Sequence, residues 1–178
     1  MQFLNSTFIV LVGPKHSGKT SAGKALASML SCDFVDLDAF IAQRSGKSPR
    51  ALYIEGPEIF RKAEAEALAA LFETETTPSP LVIATGGGLA DNPDALSLLQ
   101  KNTEAISIAL DVSVKTAWTR ISRAGELPPF LKTENPEETH RLLHERRAAV
   151  YRQLASLVIN AEGKSIEEIA EEMKNGLH

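Results

Sequence analysis

One glycine-rich segment of the chain has the residue types and the spacing needed to bind the phosphates of a nucleotide. Its sequence is Gly13-Pro14-Lys15-His16-Ser17-Gly18-Lys19-Thr20, which fits the pattern G-x-x-x-x-G-K-[ST]. In a loop of this kind, backbone N–H groups and a helix N-terminus surround the phosphates. Lys19 would add a positive charge, and the hydroxyl of Thr20 would bind Mg²⁺. The segment therefore predicts a site for a nucleoside triphosphate with its metal ion.

Two carboxylates and a run of glycines stand at the ends of other apolar stretches. Asp36 and Asp38 close the stretch 33–37, and Gly86-Gly87-Gly88 follows the stretch 81–84. Acidic residues at i and i+2 lie on one side of an extended chain, where they could serve a metal ion and a reacting hydroxyl. Alternatively, Asp38 caps the next helix and the other carboxylate is merely exposed. The glycines either allow the backbone to approach a ligand closely or form a flexible turn.

Two arginines fall on predicted apolar helix faces. Arg147 shares a helical stripe with apolar residues of 143–154, and Arg61 shares one with apolar residues of 61–72. A guanidinium that faces inward needs an anionic partner. The partner is either a structural carboxylate, such as Glu64 for Arg61, or the carboxylate of a substrate. From the residues alone, both interpretations stay open.

The elements around these residues alternate between strand and helix. Short apolar stretches at 7–12, 33–37, 81–84, 105–110 and 157–159 predict five strands, and the segments between them predict helices. This alternation indicates an α/β fold, a P-loop three-layer sandwich in which helices cover both faces of a five-stranded parallel sheet. Ligands bind at the carboxyl ends of the strands in such sheets, which is where the candidate residues stand.

Composition limits the classes of function. The chain has 178 residues, 43% of them hydrophobic and 24% charged, and we expect one domain over 1–178. The net charge of −4, without a block of like charges, argues against nucleic-acid and anionic-membrane partners. No stretch is long enough to span a bilayer. The single cysteine excludes a disulfide framework, so we expect a cytoplasmic protein. His140, His144 and His178 are predicted to be exposed, without metal-ligand spacing.

Taken together, these residues resemble the shikimate kinase family over nearly the whole chain. The family's P-loop is followed here in order by the Asp-x-Asp pair, a Gly-x-x-x-Phe-Arg-x-x-Glu segment, a triple-glycine turn, and an arginine-bearing helix that ends in a tyrosine. The four later segments are Asp36-Leu37-Asp38, Gly56 to Glu64, Ala84 to Gly88, and Glu145 to Arg152. The resemblance implies a nucleoside-monophosphate-kinase-like fold that transfers the γ-phosphate of ATP to the 3-hydroxyl of shikimate, in aromatic amino-acid biosynthesis.

The resemblance also implies a role for each candidate residue. Asp38 would orient the hydroxyl and accept its proton, and Asp36 would bind Mg²⁺ through water beside Thr20. Arg61 and Arg147 would hold the shikimate carboxylate in a pocket lined by Gly86, Gly87 and Gly88. The nucleotide would be bound by the P-loop, by Arg120 beside the adenine ring, and by a turn near 162–165. These P-loop residues are Gly13, Ser17, Gly18, Lys19 and Thr20, and Lys19 is also expected to be catalytic. We expect a monomer.

The segment that matches the family's lid, about 123–135, departs from the family pattern. The lid usually reads Arg-Pro-Leu-Leu, and its arginine reaches the transferred phosphate. Here Leu127-Pro128-Pro129-Phe130-Leu131 places leucine or proline where the arginine should be. Arg123 before the lid and Lys132 after it are the candidate replacements, and we favour Arg123 as the catalytic cation.

Two other functions remain open at this stage. The first is a related P-loop kinase for another hydroxy-acid such as gluconate, which would need a differently shaped acid pocket. The second is a non-catalytic protein that binds ATP or another ligand, an idea motivated by the absent lid arginine. Arg61, the triple glycine and Arg147 argue against the first alternative. Lys19 and the Asp36–Asp38 pair argue against the second.

Overall fold

Five short parallel strands form one sheet within residues 7–74, 79–125 and 127–177, which are the residues that the computed structural model describes. The strands are β1 (Phe8–Val12), β2 (Asp33–Asp36), β3 (Leu81–Ala84), β4 (Ala105–Asp111) and β5 (Leu157–Asn160). Their order across the sheet is β2-β3-β1-β4-β5. Each pair of neighbours is parallel, and Leu11 of β1 pairs with Ala84 of β3 and Ile108 of β4. The predicted five-stranded parallel sheet is confirmed.

Helices connect the strands and cover both faces of the sheet. They are α1 (Lys19–Leu30), α2 (Leu37–Ser45), α3 (Pro49–Glu55), α4 (Pro57–Phe72), α5 (Pro93–Lys101), α6 (Val114–Arg123), α7 (Pro136–Leu154) and α8 (Ile166–Gly176). Short 3-10 turns lie at Leu89–Asp91 and Pro129–Leu131. In the part of the chain that the structure describes, no helix has the length and apolar character needed to cross a bilayer. The sequence interpretation missed α3, although Ser48 caps it by accepting a hydrogen bond from the Ala51 N–H at 3.1 Å.

The two faces of β1 divide the hydrophobic core into two clusters. Phe8, Val10 and Val12 pack with residues of α2 to α5 and α7, whereas Ile9 and Leu11 pack with residues of α1, α6 and α8. Successive side chains of a strand point to opposite faces, so a fully apolar strand needs cover on both sides. The helices supply that cover, and the predicted three-layer arrangement is confirmed.

The start of α2 contradicts the alternative in which Asp38 caps the helix. Asp36, not Asp38, is the N-cap residue, because its Oδ1 accepts a hydrogen bond from the Ala39 N–H at 3.1 Å. Asp38 lies in the first turn of the helix, with its side chain half-buried. Strand β2 therefore ends at Asp36, and Leu37 is already helical. The change leaves the carboxylate of Asp38 available to the space beyond the strand ends.

The prediction that His140 and His144 of α7 are exposed is wrong, because both are buried. His140 and His144 are only 6% and 5% exposed, and with Ala148 and Tyr151 they form the buried face of the helix. The ring centroid of His140 lies 5.4 Å from that of Trp118 and 5.5 Å from that of His144. Ring stacking makes an imidazole suitable for an interior position that the apolar pattern does not mark. His178 lies outside the described residues.

Tyr151 ties α7 to the turn after β3. Its ring is buried, and its hydroxyl accepts a hydrogen bond from the Ala90 N–H at 3.1 Å. The pKa of this hydroxyl is raised, mainly by burial. A buried phenol therefore fixes the 3-10 turn that follows the triple glycine.

We expect Tyr151→Phe to destabilise the protein by about 1–2 kcal/mol, because the Ala90 N–H would lose its partner inside the protein. Urea denaturation followed by circular dichroism measures the change in the free energy of unfolding. Tyr53→Phe is the matched control, since no hydrogen bond of the Tyr53 hydroxyl is found among the described residues. Equal stability of Tyr151→Phe and the wild type would contradict the assigned hydrogen bond.

The buried His140 should make stability depend on pH. Its pKa is lowered from 6.5 to about 4, chiefly by burial and further by the charges of His144 and Arg147. At a pH between about 4 and 6.5, His140 is protonated in the unfolded chain but neutral in the folded protein. The free energy of unfolding therefore decreases as the pH falls through this range. Relative to His140→Gln, the wild type should lose about 2 kcal/mol of unfolding free energy between roughly pH 7.5 and pH 5. A difference between the two proteins that stays constant with pH would contradict this.

Candidate active site

The P-loop connects β1 to α1 and is shaped by two glycines. Gly13 and Gly18 have φ values of 145° and 98°, which side-chain-bearing residues rarely adopt. A Cβ on Gly13 would lie 2.5 Å from the carbonyl oxygen of Leu110. Gly18 is the N-cap of α1, so the N-terminus of that helix faces the loop. The loop thus has the backbone form that an anion-binding segment requires.

Lys19 is buried within this loop, with an exposure of 7%. Its Nζ donates hydrogen bonds to the carbonyl oxygens of Gly13 at 2.9 Å and Pro14 at 2.8 Å, and to the Ser17 Oγ at 3.4 Å. Burial lowers the pKa of Lys19 to about 8, and the nearby Asp38 and Asp36 oppose that shift. In this arrangement the ammonium holds the loop together.

Thr20 and Asp36 form a small group of oxygen ligands beside the P-loop. The Thr20 hydroxyl donates a hydrogen bond to the Asp36 Oδ2 at 2.8 Å, while Oδ1 of the same carboxylate caps α2. A hydroxyl and a carboxylate suit Mg²⁺, which usually takes few protein ligands and completes its shell with water and phosphate oxygens. Within the described residues, no cluster of three or more His, Cys, Asp or Glu side chains could hold a metal ion by itself.

Asp38 presents an acceptor that lacks a partner. Its Oδ1 is buried and makes no hydrogen bond within the described part of the chain. Burial raises the pKa of Asp38, the neighbouring Asp36 raises it further, and Lys19 and Lys15 partly oppose the shift. Buried polar atoms without partners are rare and unfavourable. This oxygen therefore lies where a hydrogen-bond donor of a ligand would be stabilising.

Two cavities adjoin at Asp38. The first, which we call the phosphate cavity, has a volume of about 270 Å³ and is lined by the P-loop, Asp36 and Thr85. The second, which we call the acid cavity, has a volume of about 260 Å³ and is lined by α3, α4 and the lid segment. Four residues line both cavities, and they are Lys15, Asp38, Gly86 and Gly87. A group could pass from one cavity to the other at this boundary.

The acid cavity brings Arg61 and Arg147 together. Arg147 is 13% exposed at its side chain, and its Nη2 lies 2.6 Å from the Asp91 Oδ2. The Arg61 guanidinium makes no hydrogen bond or ion pair with any described residue. Glu64, the structural partner that the sequence suggested for Arg61, instead accepts a hydrogen bond from the Asn92 Nδ2 at 2.9 Å. The geometry thus favours a ligand anion as the partner of Arg61.

The glycine turn after β3 is built for close approach. A Cβ on Gly86 would lie 3.0 Å from the Asp38 Oδ1, and one on Gly87 would lie 2.5 Å from the backbone nitrogen of Lys15. Gly88 is less crowded and lies near Arg147, whose guanidinium would be 3.8 Å from an added Cβ. The first two glycines are therefore required by packing, which argues against a turn chosen only for flexibility.

Glu64 is a residue whose importance sequence reasoning underestimated. It is only 1% exposed, and its Oε1 is buried without a hydrogen-bond partner in the described structure. Burial raises the pKa of Glu64 to about 7; the Asn92 hydrogen bond opposes the shift, and Asp38 adds to it. A signal was present in the sequence, because Glu64 lies among the alanine and leucine residues that form the buried face of α4.

Of the residues expected near the adenine ring, Arg120 contacts the P-loop and the turn at 162–165 contacts the start of α6. Arg120 is exposed, and its Nη1 donates a hydrogen bond to the carbonyl oxygen of His16 at 2.8 Å. The predicted adenine turn is tied to α6, since the Glu162 carboxylate accepts hydrogen bonds from the Ser113 N–H at 2.9 Å and from the Thr116 hydroxyl. The helix that carries Arg120 and this turn are thus held together.

The lid segment contributes apolar surface rather than charge. Pro128, Pro129 and Phe130 line the acid cavity, and the Phe130 ring centroid lies 5.2 Å from the Arg147 guanidinium. Arg123, the favoured replacement for the lid arginine, is the exposed last residue of α6 and lines neither cavity. Lys132 is also exposed and outside both linings. Residue 126 of the lid lies outside the described residues.

Comparison with known proteins agrees with this site. A family model described as shikimate kinase matches residues 15–178. The chain is 37% identical over 166 residues to a shikimate kinase of Sulfurihydrogenibium sp. (strain YO3AOP1), covering 93% of this chain and 94% of the relative. It is 33% identical over 170 residues to one of Marinomonas sp. (strain MWYL1), covering 95% and 91%.

The fold agrees as well. A solved structure of shikimate kinase from Acinetobacter baumannii in complex with shikimate superposes with a TM-score of 0.86 at 30% identity. The match covers 98% of this chain and 94% of that one. Sequence, fold and the order of the site residues lead to one conclusion: the chain belongs to the shikimate kinase family.

Proposed function

We propose that this protein transfers the γ-phosphoryl group of ATP to the 3-hydroxyl of shikimate. The observation that carries the proposal is the boundary between the two cavities. One cavity contains the P-loop, the other contains two arginines, and the unpaired Asp38 Oδ1 belongs to the wall that they share. Membership of the family and the shikimate complex of the Acinetobacter relative support the same acceptor.

On the phosphate side, the P-loop and Lys19 would bind the β- and γ-phosphates, and Arg120 would flank the adenine ring. Incoming phosphate oxygens can replace the loop carbonyls that Lys19 contacts at 2.8 and 2.9 Å. Thr20 and Asp36 would hold Mg²⁺, directly and through water. When bound, the ion neutralises phosphate charge and fixes the orientation of the γ-phosphate.

On the acid side, Arg61 and Arg147 would bind the carboxylate of shikimate. Planar guanidinium groups can each offer two parallel N–H donors to a carboxylate. The Asp91 Oδ2 positions Arg147 by accepting hydrogen bonds from the Arg147 Nε at 3.0 Å and the Arg147 Nη2 at 2.6 Å. The glycine turn leaves room for the ring of the acid beside these groups. The carboxylate therefore fixes one end of the substrate, and Asp38 meets the hydroxyl at the other end.

Asp38 would orient the acceptor hydroxyl and take its proton. As the bond between the hydroxyl oxygen and the γ-phosphorus forms, the bond between that phosphorus and the β–γ bridging oxygen breaks, and ADP leaves. The hydroxyl proton passes to the Asp38 carboxylate. The raised pKa of Asp38 makes it a better proton acceptor than an exposed aspartate.

The geometry of the two cavities also bears on the two alternative functions, a kinase for gluconate and a protein that binds ATP without catalysis. A gluconate kinase would need a pocket for a longer, linear and more polar acid, whereas the acid cavity is lined in part by the aromatic rings of Phe130, Tyr53 and Phe60. A protein that only binds ATP would not need an unpaired carboxylate oxygen between two cavities. The cytoplasmic location, the monomeric state, the lid at about 123–135 and the role in aromatic amino-acid biosynthesis stay predictions.

The test is ADP release from MgATP by the purified protein, measured with shikimate, with gluconate and without an acceptor. We expect release that depends on shikimate. Lys19→Ala should reduce it below detection, because the variant lacks the charge that binds the β- and γ-phosphates. ATP binding without release dependent on shikimate would contradict the proposed function. Near-normal turnover by Lys19→Ala would contradict the P-loop assignment.

We expect Arg61→Ala to raise the KM for shikimate roughly 30-fold, which corresponds to about 2 kcal/mol for a lost charged hydrogen bond. The KM for ATP should stay unchanged, because Arg61 lines only the acid cavity. Lys62→Ala is the matched control, since its side chain is exposed and neighbours Arg61 in the sequence. Equal increases in both KM values would indicate a structural role for Arg61.

A further inference from the structure

The lid leaves the transferred phosphoryl group without an obvious second cation. Phosphoryl transfer is accelerated by positive charge placed on the moving group, and a single arginine in that role contributes several orders of magnitude. Residues 127–131 of the lid contain no cation, and neither Arg123 nor Lys132 lines a cavity. The charge must therefore be sought among residues that already lie at the boundary of the two cavities.

Lys15 is the cation at that boundary. It is the third residue of the P-loop, and of the four residues that line both cavities it alone is positively charged. Asp38, the proposed contact of the acceptor hydroxyl, belongs to the same set. Lys15 and Asp38 therefore both lie where the two cavities adjoin.

The backbone of Lys15 is held firmly in this position. A Cβ added to Gly87 would lie 2.5 Å from the Lys15 nitrogen and 2.7 Å from its Cα, so the glycine turn presses against the loop there. His16, the next residue, has a left-handed φ of 60°, which turns the chain sharply. Gly87 thus packs against the backbone of Lys15, a residue that lines both cavities.

The ammonium of Lys15 is available for a ligand. The Lys19 ammonium already donates to three P-loop oxygens, whereas Lys15 makes no hydrogen bond or ion pair with any described residue. Burial lowers the pKa of Lys15; the charge of Asp38 opposes that shift, and Arg50 adds to it. A lysine carries a compact charge on a flexible stem, which suits a phosphoryl group that changes position during the reaction.

We propose that Lys15 is a catalytic residue that contacts the transferring phosphoryl group and supplies the positive charge that the family's lid arginine would otherwise bring. The inference rests on the proposed kinase function. It reassigns the role that the sequence suggested for Arg123 to a residue fixed in the P-loop.

Steady-state kinetics of Lys15→Met test this role. We expect kcat to fall roughly 100- to 1000-fold and the KM for ATP to rise no more than about tenfold, with the KM for shikimate within about threefold of the wild type. Lys15→Arg should retain most of the activity, because it keeps the charge. Lys101→Met is the matched control, since Lys101 is an exposed residue at the end of α5. Thermal unfolding of each variant shows that the fold is intact.

Three kinetic results would overturn the proposal. One is a kcat for Lys15→Met within about threefold of the wild type. Another is a raised KM for shikimate with unchanged kcat, which would make Lys15 a ligand of the acid instead. The third is a larger loss of kcat in Arg123→Ala than in Lys15→Met, which would return the role to the residue before the lid.

A binding measurement separates this proposal from the identity of the acceptor. Isothermal titration calorimetry compares MgADP with the magnesium complex of the ATP analogue AMP-PNP, which carries a γ-phosphoryl group that ADP lacks. Lys15→Met should weaken AMP-PNP binding about tenfold and leave ADP binding unchanged. Equal effects on both nucleotides would overturn the contact with the γ-phosphoryl group. If the wild type did not phosphorylate shikimate, the proposed function would fail, yet this comparison would still decide the role of Lys15.

Discussion

The contact between the glycine turn and the P-loop is the constraint on which the site depends. Strands β1 and β3 are neighbours, and the Thr85 N–H and hydroxyl both donate to the Leu11 carbonyl oxygen, at 3.1 and 2.9 Å. These bonds bring the two segments out of the sheet side by side. Only a residue without a side chain can then lie against the backbone of Lys15, and Gly87 does so. As a result, the two cavities adjoin at this contact, and both Gly87 and Lys15 line each of them.

The glycine turn also lies beside two carboxyl groups with raised pKa values, those of Asp38 and Glu64. Around the position of a Cβ on Gly86, the Asp38 Oδ1 lies at 3.0 Å and the Glu64 Oε1 at 3.4 Å, and both oxygens are buried without partners among the described residues. Burial is the main cause of the raised pKa of each carboxyl; the charge of Asp36 raises the pKa of Asp38 further, and the charge of Asp38 raises that of Glu64. With a pKa of about 7, Glu64 can keep its proton near neutrality and leave the negative charge on Asp38. Hydroxyl groups of a bound substrate would donate hydrogen bonds to the Asp38 and Glu64 oxygens that have no partner among the described residues.

Much of this architecture could be predicted because it depends on local signals. The apolar strands lie where the sequence predicts them, and the Asn92 and Asn135 caps and the capping box of Ser165 and Glu168 are equally local features of helix starts. Short-range chemistry determines such features, since a cap needs only a side-chain oxygen and the first helical N–H groups. The glycine-lysine pattern of the P-loop is local in the same sense.

The features that sequence reasoning missed depend on partners far along the chain. His140 looked exposed because its partner Trp118 belongs to another helix, and the apolar stripe of α7 was placed one residue away from its buried face. Glu64 became important only when α4 placed it near Asp38. Lys15 received no role from the sequence, because the residue that packs against its backbone, Gly87, lies more than seventy positions later. Tertiary packing creates these roles, and no spacing within one segment records them.

A cation on the P-loop would change what the lid has to do. An arginine carried by the lid neutralises the transferring group only when the lid closes, so charge and closure are coupled. A cation at Lys15 is in place whether or not the lid closes, and the lid is then left with the exclusion of water. Its apolar side chains suit that role, because Phe130 lies against Tyr53, with ring centroids 6.3 Å apart, and covers the Arg147 guanidinium. Protection of ATP from hydrolysis would depend on this apolar cover and on the acid substrate that fills the space beneath it.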